Sequence, residues 1–161
     1  MRIYWIDKLK KGKIGMMARP KGNDWLEDEI RDLNFKEVDT VISLLKKYEE
    51  TELEIEKEKA LCKKYDIEFI SFPIQDRGVP ENISDFIELI TNINNRLNEN
   101  KKVVVHCRMG IGRTSIVAAS VLIKNGFDSG SVFDFLSKTR TLTVPDTDDQ
   151  ISWVKEIENT L

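Results

Sequence analysis

Short apolar runs alternate along this chain with longer amphipathic segments. Runs with strand character cover Ile3–Ile6, Ile14–Ala18, Thr40–Leu45, Glu68–Ile74 and Lys102–Val105, each bounded by charged or turn-forming residues. The last three are apolar on both faces, which predicts the centre of a buried sheet. Helical periodicity fills the spaces between them. Asn23 or Asp24 is placed to cap a helix through Trp25, Leu26, Ile30 and Leu33. A second helix is expected over Glu49–Tyr65, with Leu53, Ala60, Leu61 and Tyr65 on one side. The clearest covers Glu81–Leu97, where Ile83, Phe86, Ile87, Ile90, Ile93 and Leu97 trace one stripe. Thr114–Lys124 ends at Asn125-Gly126, a C-terminal stop signal, and Ser129–Thr139 and Asp146–Thr160 complete the set. The alternation predicts an α/β fold: a single domain over residues 1–161, with a mainly parallel central sheet of about four to five strands and helices on both faces.

Composition narrows the function classes. Hydrophobic residues make up 40% and charged residues 33% of the chain, as expected of a globular protein. The net charge of −3 disfavours duplex nucleic acid as a partner, since such binders present a basic excess. The opening Met1-Arg2-Ile3-Tyr4-Trp5-Ile6-Asp7 is broken by charge too early for a secretory signal. No apolar run is long enough for a membrane span. With two cysteines there is no disulfide framework, so a reducing cytoplasm is the expected compartment; a monomer is the expected state. One histidine and two distant cysteines cannot form an ordinary zinc site, and nothing in the sequence calls for a metal or other cofactor.

The chemistry concentrates after the last strand run. Between it and the helix at Thr114 lies His106-Cys107-Arg108-Met109-Gly110-Ile111-Gly112-Arg113. Glycines let such a loop turn successive backbone N–H groups toward one point, and the following helix adds its unpaired N–H groups and positive end. The product is an anion cradle. Cys107 stands at its base, where the same dipoles favour thiolate over thiol. Arg113 offers a planar fork to two phosphoryl oxygens, and the Thr114 hydroxyl is placed to donate to the sulfur.

His106-Cys107 followed by Arg113-Thr114 resembles the His-Cys-x5-Arg-Ser/Thr signature of protein tyrosine phosphatases. The short chain is similar to the compact dual-specificity branch, which includes small phosphatases related to the cyclin-dependent-kinase-associated phosphatase. The resemblance covers residues 38–155, with a looser match before that. Ser115 departs from it, standing where Gly or Ala is common. The resemblance implies that Cys107 attacks phosphorus, that residues 108–113 (Arg108, Met109, Gly110, Ile111, Gly112 and Arg113) bind the phosphoryl group, and that no cofactor takes part. It further implies that the loop Phe72–Pro80, which carries Pro, Gly and Asp76, supplies Asp76 as general acid. Arg77 beside it either binds substrate or braces the loop. Gln150, in Pro145-Asp146-Thr147-Asp148-Asp149-Gln150, matches the glutamine that orients water in such enzymes; helix-start capping is the competing reading. His106 should point to the opposite face of its strand from Cys107, as a tuning residue or a satisfied core histidine.

Other features carry two readings. Cys62 lies where some family members place a cysteine that protects the nucleophile as a disulfide; the alternative is a core thiol. Arg19 and Lys21 are either cations at the pocket mouth or a solvated turn. The acid-rich run Lys46–Lys59 reads as an exposed helix face rather than a partner site, and Trp5, Trp25 and Trp153 read as core. The expected function is hydrolysis of phosphomonoesters on a phosphorylated protein or peptide, on tyrosine alone or on serine and threonine as well. Phosphoinositides or small metabolites are alternative substrates, although Met109 and Ile111 make the loop less basic than in phosphoinositide-hydrolysing relatives. A non-catalytic phosphoresidue-binding module would lack Cys, Arg or the acid, and all three are present. Sulfur transfer or arsenate reduction also uses a Cys loop, but Arg113-Thr114 and Asp76 fit phosphatase chemistry better.

Overall fold

The computed structural model describes residues 1–161. Its sheet has five strands, β1 (Tyr4–Ile6), β2 (Lys13–Ala18), β3 (Thr40–Ser43), β4 (Glu68–Ser71) and β5 (Lys102–Cys107), in the order β1-β2-β5-β3-β4. All pairings are parallel except β1 with β2. Seven α-helices accompany them: α1 (Leu26–Phe35), α2 (Lys47–Glu52), α3 (Glu58–Lys64), α4 (Ile83–Asn98), α5 (Gly112–Lys124), α6 (Val132–Arg140) and α7 (Asp148–Ile157). None is long and apolar enough to cross a membrane.

Side-chain alternation along the central strands divides the interior into two cores. Val103, Val105 and Cys107 of β5 face one side, with Ile14, Met16 and Ile42, under α4–α7. Val104 faces the other, with Met17, Val41, Ile30 and Cys62, under α1 and α3. Helix α5 runs through the larger core with every residue from Gly112 to Leu122 buried. This embeds the start of α5, and the loop before it, in fixed surroundings.

Several expectations need correction. The central strands are β2, β5 and β3, whereas β4 is an edge strand with Glu68 and Ser71 exposed. The single helix expected over Glu49–Tyr65 is two helices, broken after Leu53 where Glu54 adopts φ 56°. Neither Asn23 nor Asp24 caps α1; both lie in a preceding 3-10 turn that has no side-chain cap. Trp25 is exposed, while Trp153 is buried against Phe86. Ile83, at the first turn of α4, is also exposed, and the cap there comes from Asn82, whose Oδ1 accepts from the Asp85 amide.

Candidate active site

The parallel pairing of β5 between β2 and β3 brings Cys107 to the carboxyl end of the sheet, where open α/β sheets place their ligands. The chain then turns through residues 108–111 into α5. Gly110 has φ 66°, and a Cβ there would come within 2.3 Å of the Met17 carbonyl, so only glycine fits the turn against β2. Three successive carbonyls of this loop are held outward. Arg108 O accepts from the Arg19 amide at 3.4 Å, Met109 O from Arg140 Nη2 at 2.9 Å, and Gly110 O from Arg140 Nε at 2.9 Å. In a trans peptide the N–H points opposite to the C=O, so the amides of residues 109–111 are left facing the cradle. Arg140 is itself buried and stacks on Tyr4, its Cζ 4.1 Å from the ring centroid.

Inside the cradle Thr114 Oγ1 donates to Cys107 Sγ at 3.1 Å, and both residues are buried. Arg113 is 1% exposed yet fully organised. Its Nη1 donates to Glu49 Oε2 at 2.7 Å and to the Ile74 carbonyl at 3.0 Å, while Nη2 donates to Glu49 Oε1 at 3.0 Å and to Asp76 Oδ1 at 3.0 Å. This bidentate grip fixes the plane of the guanidinium. Its Nε and the Nη2 hydrogen shared with Asp76 lie on the edge remote from the Nη1 contacts. Burial alone pulls the guanidinium down, but Glu49, the Cys107 sulfur and Asp76 outweigh it and raise Arg113 above the ordinary arginine range. For Glu49 burial pushes upward, and hydrogen bonds from Arg113, the Lys46 amide and Arg108 bring the net position below the usual carboxylate range.

A cavity of about 160 Å³ opens over Cys107 and Arg113, walled by Asp76, Arg77, Arg108, Met109, Ile111 and Asp146. A larger, shallower depression of about 660 Å³ between α3 and β4 holds no nucleophile and no convergent cluster of donors. The structure thus brings Cys107, Arg113, Thr114 and Asp76 together. Gly112, at the helix start, lets Asp146 and Gln150 approach its backbone, since a Cβ there would lie 2.2 Å from Asp146 Oδ2. Arg108 points away to Glu49 at 3.4 Å and Glu52 at 2.8 Å, and Met109 stands exposed at the mouth.

The remaining expectations fare differently. Gln150 is buried and both ends of its amide are engaged: Oε1 accepts from the Asp146 and Thr147 amides at 3.0 and 3.2 Å, and Nε2 donates to the Gly78 carbonyl at 3.0 Å. It caps α7 with Thr147 and ties the Asp76 loop to that helix, rather than presenting a free amide to the pocket. His106 does point to the face opposite Cys107. It is fully buried, with Nε2 2.8 Å from Glu58 Oε1, a close contact whose angle falls outside hydrogen-bond geometry. Cys62 and Cys107 are free thiols in different cores on opposite faces of the sheet, which favours the core-thiol reading of Cys62 over the disulfide one. Lys21 lies over Trp25, and Arg19 touches the loop through its backbone while its guanidinium donates to Pro20 O. The run Lys46–Lys59 is not a simple exposed face, because Glu49 and Glu58 point inward and are buried. Glu49, Glu58, Arg140 and Asp146 had no distinguishing signal in the sequence.

Comparison with known proteins gives a consistent family. The profile described as "Polymorphic toxin system, DSP-PTPase phosphatase" matches residues 14–127, so the match begins earlier than the residue-38 boundary expected from the motif. Among curated proteins, the tyrosine-phosphatase-like protein 197R of Invertebrate iridescent virus 6 is 42% identical over 57 residues, which is 34% of this chain and 21% of that one. Tyrosine-protein phosphatase non-receptor type 4 of Homo sapiens is 42% identical over 52 residues, 32% of this chain and 5% of that one. The chain therefore spans a minor part of the length of these relatives. Among solved structures, kinase associated phosphatase with its catalytic-site cysteine replaced by serine superposes with a TM-score of 0.89 at 18% identity, covering 100% of this chain and 96% of that one. Tk-PTP in the active form gives 0.78 at 23% identity, with 100% of both chains covered. These likenesses establish the fold, and the profile match, which takes in the cradle, Asp76 and most of the sheet, establishes that the chain belongs to the DSP-PTPase phosphatase family of polymorphic toxin systems.

Proposed function

We propose that this protein hydrolyses phosphomonoesters through a phosphocysteine, with phosphorylated tyrosine, and also serine or threonine, in a protein or peptide as substrate. The observation that carries the reading is the cradle over Cys107: three outward carbonyls, the Thr114 hydroxyl on the sulfur at 3.1 Å and an immobilised Arg113. Such a site stabilises negative charge at the sulfur and at equatorial phosphoryl oxygens without reorganising during reaction. Phosphoryl transfer passes through a loose transition state, so positioning and charge stabilisation do most of the work.

In the first step the Cys107 thiolate attacks phosphorus, the P–O ester bond breaks, and the Asp76 carboxyl gives its proton to the leaving oxygen. The phosphoryl oxygens take the Arg113 Nε–H and the Nη2 hydrogen that is otherwise bonded to Asp76, which leaves Asp76 to face the leaving group. In the second step water attacks phosphorus, the S–P bond breaks, Asp76 takes a proton from the water, and inorganic phosphate leaves. Met109 and Ile111 give the mouth an apolar rim for a peptide side chain, beside Arg77 and Arg108. The test is hydrolysis of an aryl phosphate in EDTA by the parent, Cys107→Ser and Asp76→Asn. Cys107→Ser should be inactive, and Asp76→Asn should lose roughly 10²–10⁴-fold in kcat; activity surviving in Cys107→Ser sinks the mechanism.

A further inference from the structure

Asp146 belongs to no role assigned so far, yet it walls the same cavity as Cys107, Arg113 and Asp76. Its carboxylate stands against the first residue of α5, in space left by the missing side chain of Gly112: a Cβ there would lie 2.2 Å from Asp146 Oδ2. The Asp146 backbone is pinned, its amide donating to Gln150 Oε1 at 3.0 Å, whereas its carboxylate makes no hydrogen bond or ion pair within the chain. A carboxylate at the wall of an anion cradle repels the phosphoryl group that the cradle is built to attract. Its useful partner there is an uncharged one. The uncharged reactant of this chemistry is water, which enters once the leaving group has gone. The nearby amide that would otherwise hold it, Gln150, has both ends committed to the α7 cap and to Gly78.

We infer that Asp146 is a catalytic residue of the second step, where it holds the attacking water. The inference rests on the phosphocysteine reading. The water donates one hydrogen to Asp146 and the other to the Asp76 carboxylate, which gave up its proton in the first step; the oxygen lone pair is thereby directed at phosphorus. As the O–P bond forms and the S–P bond breaks, Asp76 takes its proton and Cys107 departs as thiolate. Asp146 accepts a hydrogen bond throughout and neither gains nor loses a proton. The cysteine attack makes no use of it.

Stopped-flow hydrolysis of 4-nitrophenyl phosphate by the parent, Asp146→Ala and Asp146→Asn tests this, with acid-quenched samples read by intact mass. Asp146→Ala should release a burst of about one 4-nitrophenol per chain and then turn over at least roughly tenfold more slowly than the parent, with phosphocysteine accumulating and KM falling together with kcat. Asp146→Asn keeps the shape and a hydrogen-bond acceptor, and should return kcat to within about threefold of the parent. A kcat for Asp146→Ala within about twofold of the parent overturns the role. So does an Asn variant no faster than Ala, or slow turnover without a burst in both variants. A parent with no turnover at all would instead bring down the phosphatase reading itself.

Discussion

Cys62 and Cys107 are both buried, and accessibility alone would rank them alike. Their polar neighbours separate them. Around Cys107 stand the Thr114 hydroxyl, the inward amides of the loop and the Arg113 guanidinium. Around Cys62 there is hydrocarbon and a carboxylate: burial, and then the charge of Glu58, push its thiol up to about 12. At similar burial, the pair contrasts a sulfur that faces hydrogen-bond donors and a guanidinium with one that faces hydrocarbon and a carboxylate. The sheet itself enforces the separation, because β5 turns Cys107 to one face while Cys62 reaches the other from α3.

The strongest way to break this contrast is to exchange the roles. Cys107→Ser should lower kcat on an aryl phosphate by more than about 10⁴-fold, whereas Cys62→Ala should leave it within about twofold. Comparable losses in both variants would mean that Cys62 takes part in the chemistry.

Next in size is Glu49→Gln, which leaves the buried Arg113 guanidinium without its bidentate, fully buried carboxylate partner. Removing one member of a buried pair costs about 3–5 kcal/mol of stability by denaturant unfolding, and kcat/KM should fall together with it. The pH dependence has a definite sign. Glu49 sits below its usual range in the folded protein, so its stabilisation is present above about pH 4.5 and disappears as pH falls through the lowered folded value. Glu49→Gln should lack that component of acid unfolding, and an unchanged acid limb would contradict the assignment.

A smaller effect is expected behind the cradle. Arg140→Met removes two hydrogen bonds from a charged donor to loop carbonyls, at 2.9 Å each, while keeping an apolar stem beside Tyr4. At about 1.5–3 kcal/mol for such a bond, kcat/KM should fall roughly 10–100-fold with the fold retained. An unaltered rate would show that the loop holds its shape without Arg140.

At neutral pH the smallest effect belongs to Cys62, whose distinguishing signature is a slope in alkali. Its folded-state value lies above that of the unfolded chain, so the stabilisation is complete below about pH 8.5 and is lost as pH rises toward 12, at about 1.4 kcal/mol per pH unit. Cys62→Ala should be less stable by about 1 kcal/mol at neutral pH and should lose this alkaline slope. Equal slopes in the two proteins would contradict the buried-thiol assignment.

These contrasts also mark what the sequence could reveal. The loop at Cys107 was readable because strand, glycines, arginine, hydroxyl and helix follow one another without interruption, so local backbone rules are enough. The alternation of strands and helices likewise pointed to the parallel sheet. Glu49 and Glu58 were hidden among Glu50, Glu52, Glu54 and Glu56, which have the same composition. What buries Glu49 is a partner 64 positions away, and no local pattern records that. The same holds for Arg140, whose acceptors are loop carbonyls 30 and 31 positions distant. The helix break at Leu53 escaped notice because a non-glycine residue, Glu54, takes the positive φ. Gln150 illustrates a subtler failure: its place in the chain suited either of two roles, and the structure shows it engaged in the capping one.

The most direct measurement is rapid acid quench of the reaction with an aryl phosphate, followed by mass mapping of the covalent adduct. One phosphoryl group on Cys107, absent when Cys107 is replaced, is the expected result. Steady turnover with no Cys107 adduct at any time, or a phosphoryl group carried by another residue, would contradict a phosphocysteine at the base of the cradle.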